Sequence, residues 1–371
     1  LAVMKKILKL SLLSLLVNQY CGSAFAETTT TPDINNELER ITVTATRKES
    51  LDTDLAMSVK GVGKEELALD NGQHVAESLN SISGVLIDQL SGGQGHKAAI
   101  RMPMNTGGYY LYLQDNIPLQ SAAFFNHNAL WWSSFNSNVA RMEVLKGAGT
   151  ALYGSGAVAA TVNILSADVA DTPETSLDLM LGEDEYAKVQ ASHSNKISND
   201  QGFRISGSYM KNDGWRDHTG SERAEVTFRH ELELSDNERL VTSFVASDLE
   251  QEMAASLTED LLENDKTNSG LSDTVLASDP LRKTKYMRLS TQWDKVDGNN
   301  FYSLIPYYRF RTNDYTATWN QNMPKVESEV KEEYIKRDMW NKLDDPIYVQ
   351  KGGIISLIGR AVIQNVIKAV G

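Results

Sequence analysis

Beyond Pro173 the chain alternates apolar and polar residues with a period of two. Leu177, Leu179 and Leu181 interleave with Asp178 and Met180, and Ala187, Val189 and Ala191 with Lys188, Gln190 and Ser192. Phe203, Ile205, Gly207 and Tyr209 alternate with Arg204, Ser206, Ser208 and Met210. Further on, Ala224, Val226, Phe228, Leu232 and Leu234 share one phase, opposite Glu225, Thr227, Arg229, Glu231 and Glu233. Weaker versions follow over 240–248, 286–294 and 301–311. One apolar face and one charged face predict about seven antiparallel strands. Two settings share that pattern: a wall with lipid outside and water inside, and a soluble sandwich with one buried face. With the first strand running outward, the predicted inner turns are 195–202, 235–239 and 295–300. The outer loops are then 182–185, 212–223 and 249–282. Two of those three exceed every inner turn, as outer-membrane barrels favour.

Before Pro173 the texture differs. Residues 51–166 read as a compact α/β segment. Leu67, Leu69, Val75 and Leu79 have the spacing of one or two short helices over 64–79. Short buried strands are predicted at 85–87, 110–113, 140–145 and 160–165. Residues 27–39 are polar, with a Thr28-Thr29-Thr30-Thr31-Pro32 run, and read as a disordered lead-in. Ile41, Thr42, Val43, Thr44 and Ala45 form a β-prone strip too short for a core of its own. Such a strip can add itself to the edge of a partner's sheet, or it can be the first strand of the following domain.

The start reads as a Sec leader over 1–26: Lys5, Lys6 and Lys9, an apolar run over 7–17, then Ala24-Phe25-Ala26 at the cleavage positions. The run is shorter than the ~20 apolar residues of a spanning helix. Asn18-Gln19-Tyr20 before Cys21 lack the small, apolar character of a lipidation site. The net charge is −13; losing the three lysines and no acids of the leader takes it to −16. That argues against a nucleic-acid partner. The single Cys leaves with the leader, so disulfides and thiolate metal sites are not expected. Catalysis finds no foothold either. His74, His96, His127, His193, His218 and His230 have no His-Glu-x-x-His spacing, and there is no Gly-x-Ser-x-Gly elbow. No metal and no cofactor are expected.

Glu143-Val144-Leu145-Lys146-Gly147, followed by Tyr153-Gly154-Ser155-Gly156-Ala157, lies about a hundred residues after the strip at 41–45. In that order the two resemble the TonB-dependent outer-membrane receptors, ferric-siderophore receptors among them. The strip then stands as the TonB box and the later run as the signature that ends a plug domain. The resemblance implies an α+β plug domain over 51–166, followed over 173–330 by the first antiparallel strands of a transmembrane β-barrel that is incomplete in this chain. It implies a plug signature at Arg101, Asp115, Arg141, Glu143, Gly147, Tyr153 and Gly154. Arg141 and Glu143 would belong to a polar set gripping the inner wall, with Arg204, Arg229 or Glu231 as partners. Met102 replaces the family's Gly after Arg101, while Asn116 can adopt the left-handed conformation expected after Asp115.

An aromatic and amide run follows between two strands. The resemblance places such loops toward the outside, against the ligand, which would make Gln120, Phe124, Phe125, His127, Trp131 and Trp132, with Tyr109 and Tyr110, ligand contacts. Packing in the plug core is the other reading of these aromatics. The implied partners are TonB in the periplasm, outer-membrane lipid and an extracellular ligand such as a ferric siderophore, in a Gram-negative outer membrane. The family's 22-stranded barrel exceeds what this chain offers, and 340–371 differ in character, so a truncated or frameshifted product is expected. A non-transporting plug module for binding or signalling is the alternative.

Overall fold

The computed structural model describes residues 42–43, 50–51, 57–70, 72, 74–90, 95–105, 107–119, 129–130, 132–134, 138–277, 279–298, 300–316, 347–350 and 360–365. The N-terminal strands are β1 (Thr42–Val43), β2 (Ser50–Leu51), β3 (Ser58–Val62), β4 (Leu86–Leu90), β5 (Gly95–Ala99), β6 (Tyr110–Gln114), β7 (Ile117–Pro118), β8 (Val139–Lys146) and β9 (Ala160–Ser166). The helical spacing over 64–79 resolves into two short helices, Lys64–Asp70 and Val75–Asn80. Five strands form one mixed sheet in the order β3-β8-β9-β6-β7, in which β6 and β9 run parallel.

Period two explains how this sheet is buried on both faces. Along β6, Tyr110 and Tyr112 point into one apolar cluster with Met142, Val144, Val162 and Ile164. Leu111 and Leu113 point into another with Val59, Leu145 and Tyr153. Near-continuous apolar runs such as 110–113 are what a two-sided strand requires. Each fully buried Leu of this kind stabilises the domain by about 1.5–3 kcal/mol.

The second region is a wall of long antiparallel strands: β10 (Glu174–Leu181), β11 (Ala187–Lys196), β12 (Gln201–Asn212), β13 (Ser221–Ser235), β14 (Glu238–Glu252), β15 (Leu281–Asp297), β16 (Asn300–Ile305) and β17 (Tyr307–Thr316). Neighbours in sequence pair in order, except that Pro306 splits one strand, so that β16 and β17 both pair with β15. Two short tail segments, β18 (Ile347–Gln350) and β19 (Arg360–Asn365), extend the sheet along β17 and β16. Among the described strands, β10 pairs on one side only, so the sheet is open.

The wall is inside out relative to a soluble sheet. Ile205, Phe228, Phe244, Leu289 and Tyr308 lie side by side across five strands, and Ile205, Phe228 and Leu289 are exposed. One residue over, Ser206, Thr227, Val245, Arg288 and Arg309 form the facing row, and all five are buried. A sandwich buries the apolar row; here the polar row is buried and the apolar row is bare. That is the signature of a strand wall with lipid on one side, and it decides between the two settings open from sequence. The turns agree: β11–β12, β13–β14 and β15–β16 are joined tightly, whereas β14 and β15 are joined through residues 253–280. Among the described residues no helix is long and apolar enough to cross a membrane.

Candidate functional site

The Asp115-Asn116 turn joins β6 to β7 and meets the wall. Both residues have positive φ, 50° and 63°, which a two-residue hairpin turn of this hand requires and which Asp and Asn tolerate best after Gly. Asn116 and Asn163 exchange hydrogen bonds of 3.2 and 3.1 Å. The Asp115 carboxylate accepts from Ser166 N at 2.9 Å and Ser166 Oγ at 3.1 Å, and from Arg288 Nη2 of the wall at 2.5 Å. One acid thus ties the domain's last strand to its own hairpin and to β15.

Two further wall arginines join Arg288 on the same segment. Arg288 Nη1 donates to the Gln114 carbonyl at 2.7 Å. Arg309 donates to the Pro118 and Leu119 carbonyls, and Arg311 to Leu119 O at 3.0 Å. The Arg311 guanidinium also lies 4.4 Å from the centre of the Trp132 ring, a cation–π contact. On β13, Arg223 donates to Ser133 O at 2.5 Å and to Glu225 at 2.7 Å. Ile117 adds an apolar seam with Ile305 and Tyr307.

These arginines need the hairpin. Arg288 and Arg309 stand directly opposite each other in the wall, and like charges in that position repel. Both are buried, Arg288 fully, and a buried guanidinium costs several kcal/mol unless paired and hydrogen-bonded. The carbonyls of Gln114, Pro118 and Leu119 and the Asp115 carboxylate supply those partners. Charge-assisted bonds of this kind are directional and break over a short displacement, unlike an apolar core that yields gradually. The wall holds the domain by this latch together with apolar contacts, Val245 and Tyr286 in the domain's main cluster and the Ile117 seam.

His74 sits beside this contact. Its Nδ1 accepts from Ala76 N at 3.1 Å and so caps the helix Val75–Asn80. Burial, then the Arg223 charge, lower its pKa from 6.5 to about 4, leaving the ring neutral and its capping lone pair free at neutral pH.

The expected site residues are distributed as follows. Thr42 and Val43 pair with Leu51 and Ser50 as a two-residue hairpin; Ile41, Thr44 and Ala45 lie outside the described residues. Arg101 is exposed with φ of 56°, so the turn survives without the family's Gly by bending at Arg101 itself. Arg141 pairs with Glu143 at 2.8 Å. Arg204 instead bonds Glu174 and the Asp168 carbonyl, and Arg229 bonds Asp168 and Glu231. The wall partners expected for the 141–143 pair are thus committed to the domain–wall linker. Gly147 has φ of 124° and donates its N–H to Ala159 O at 2.8 Å. Tyr153 is buried in the second cluster, and Gly154, at φ 80°, ends its short helix.

Of the expected ligand contacts, Tyr109 is exposed, while Tyr110 and Trp132 are buried in the core. The Tyr110 hydroxyl donates to Ala98 O at 3.2 Å and accepts from Ile100 N. The burial of these two favours the packing reading for them; Gln120, Phe124, Phe125, His127 and Trp131 lie outside the described residues. Sequence reasoning missed Arg223, Arg288, Arg309 and Arg311. Their signal was parity: each stands in the polar phase of an alternating strand.

A domain pinned by its hairpin to a strand wall with a bare apolar face is the arrangement of a plug against the strands of a membrane barrel. Residues 52–161 match the family model described as TonB-dependent Receptor Plug Domain. A curated relative, the Vitamin B12 transporter BtuB of Vibrio vulnificus (strain CMCP6), is 26% identical over 180 residues, covering 48% of this chain and 28% of the relative. The chain therefore spans about a quarter of that relative's length. Among solved structures, the unliganded ferric citrate transporter FecA superposes with a TM-score of 0.61 at 16% identity, covering 71% of this chain and 41% of that one. The pyoverdine receptor FpvA of Pseudomonas aeruginosa PAO1 superposes at 0.59 and 13% identity, covering 74% and 41%. Residues 52–161 thus match a TonB-dependent receptor plug domain, and the strands beyond them share the fold of such receptors' barrels.

Proposed function

We propose that the chain belongs to an outer-membrane receptor that binds a scarce extracellular solute and passes it to the periplasm when TonB pulls on the strip at 41–45. The observation that supports this most is the latch: Asp115 and the 114–119 carbonyls hold the plug to Arg288, Arg309 and Arg311 by bonds that a short displacement breaks. An outer membrane has no ATP beside it, so the displacement must be delivered mechanically from the periplasm. A short β-strip that pairs edge to edge with a partner bears load through parallel main-chain hydrogen bonds. Among the described residues the Thr42–Val43 pairing with Ser50–Leu51 involves two residues on each side, a contact that a longer partner strand can replace.

A ferric siderophore is the cargo expected from the sequence resemblance. The curated relatives named as vitamin B12 transporters favour a corrinoid as the second reading. The test is a Cys placed at Thr42 and cross-linked to TonB, with ferric siderophore, cobalamin or neither added outside. The reading expects an adduct that one of the two solutes increases. No adduct under any of the three conditions contradicts it.

A further inference from the structure

The plug's last strand, β9, passes into β10 through residues 167–173, and the first part of that connection lies against the wall. Asp168 meets three arginines there. Its carbonyl accepts from Arg204 Nε at 3.0 Å, and its carboxylate accepts from Arg229 and from Arg239, the latter at 3.3 Å. The two following amides are also held: Val169 N donates to Glu231 Oε1 at 3.2 Å, and Ala170 N to Ser194 Oγ at 2.8 Å. Gly202 on β12 lets the connection lie this close, since a Cβ there would fall 2.6 Å from Val169 Cγ1.

The wall groups need this connection as much as it needs them. Arg204 and Arg229 stand directly opposite each other on β12 and β13, where like charges repel. Arg204 is buried and the Arg229 side chain is 12% exposed, so both require acceptors, and Asp168 supplies one to each. Glu231 completes the set by accepting from Arg229 Nε and Arg239 Nη2. Two acids and three arginines thus share one network of charge-assisted bonds, in which the loss of one bond leaves the others standing. The plug's N-terminal part meets β10 differently, through Lys64 and Glu174, 3.2 Å apart with side chains 62% and 39% exposed. A surface pair of that kind contributes little.

We infer that residues 168–170 are a clamp that keeps the plug's C-terminal end fixed to the wall while the rest of the plug is displaced. Order along the chain favours this. Tension applied at 41–45 passes through β3, β6, β8 and β9 before it reaches residue 168, so the Asp115 latch yields first and the clamp last. With the clamp closed, the plug returns to the wall from a fixed point. With it open, residues 167–173 add slack of about 23–25 Å, at ~3.3–3.6 Å per residue. Asp168, Arg204, Arg229 and Arg239 are then positioning residues for the plug's return. The inference rests on the reading that the plug is pulled from its N-terminal strip, but its test needs no TonB, so a failed cross-link at Thr42 and a failed clamp are separate results.

The test is single-molecule force spectroscopy on the full chain folded in a lipid bilayer, pulled from a handle at Thr42, with contour length read after each rupture. In the parent chain the plug's extension ends at Ser166, and the clamp yields in a separate, later event. Asp168→Ala keeps the fold, because the Asp168 side chain is 69% exposed and Glu231 still faces Arg229 and Arg239; circular dichroism checks this. In that variant the later event disappears and the plug's extension lengthens by the slack of residues 167–173. Asp168→Glu restores the parent trace. Asp171→Ala, which removes only an exposed pair with Lys196, leaves it unchanged. Equal extension in the parent and Asp168→Ala, no separate event in the parent, or the same change in Asp171→Ala would overturn the inference.

Discussion

The plug and the wall are built from the same period of two and bury it differently. In the plug sheet both faces are apolar, Tyr110 and Tyr112 on one side and Leu111 and Leu113 on the other. In the wall the buried face is mostly polar and the bare face apolar, as Thr227 and Phe228 show side by side. The plug is therefore held together by the hydrophobic effect. The wall's apolar face suits lipid, and its inner face meets the plug through hydrogen bonds and a smaller set of apolar contacts at Val245, Tyr286, Ile305 and Tyr307. Each region is complete only in its own solvent, and the arginine latch is where the two logics meet.

Removing the acid of the latch is expected to have the largest effect. Asp115→Ala leaves Arg288 buried against Arg309 with one acceptor fewer, at a cost of about 3–5 kcal/mol. Urea unfolding followed by intrinsic fluorescence should show this, and Arg288→Met in the same chain should recover most of it. Equal stability of Asp115→Ala and the parent chain would mean that the latch carries no load. Next comes the outer face. Phe228→Arg puts a charge into the lipid-facing row and should cost about 2–4 kcal/mol in a bilayer; the expected readout is reduced folding into vesicles. If folding is unaffected, the row does not face lipid. On the inner face a smaller loss is expected. Ser206 Oγ and Thr227 Oγ1 share a 2.5 Å hydrogen bond, so Thr227→Val should cost about 1 kcal/mol, although it makes the strand more hydrophobic. A gain in stability would mean that this face is an ordinary apolar interior.

The smallest effect is one of pH. The folded-state pKa of His74, about 4, is below its ordinary 6.5. Between these values the unfolded chain takes up a proton that the folded chain refuses. Stability from this group is complete above pH 6.5 and is lost as pH falls toward 4. His74→Asn keeps a capping side chain and should flatten that slope in unfolding experiments at pH 7 and pH 4.5. An unchanged slope would place the titration elsewhere.

Much of the wall was legible in the sequence, because lipid imposes strict parity and parity survives without knowledge of contacts. The phases of 177–181, 187–191 and 203–209 became β10, β11 and β12. The plug strands were legible as apolar runs with small boundary shifts: 140–145 became Val139–Lys146. The latch was not legible. Arg288 and Asp115 are 173 residues apart, and nothing local to either says that they meet. An aromatic beside a loop reads alike whether it lines a site or fills a core; Tyr110 and Trp132 lie in the main apolar cluster, with the Ala98 carbonyl and the Arg311 guanidinium against them, all supplied from elsewhere in the chain. Arg204 and Arg229 were expected at the plug signature but bind the linker around Asp168, a choice fixed by strand register.

The most direct test is mechanical: the chain, folded in a bilayer, is pulled by single-molecule force spectroscopy from a handle at Thr42. The account predicts one discrete rupture that shifts to lower force in Asp115→Ala and in Arg288→Met, and a plug that then extends while the wall stays folded. Rupture at the same force in both variants, or loss of the wall together with the plug, would contradict it.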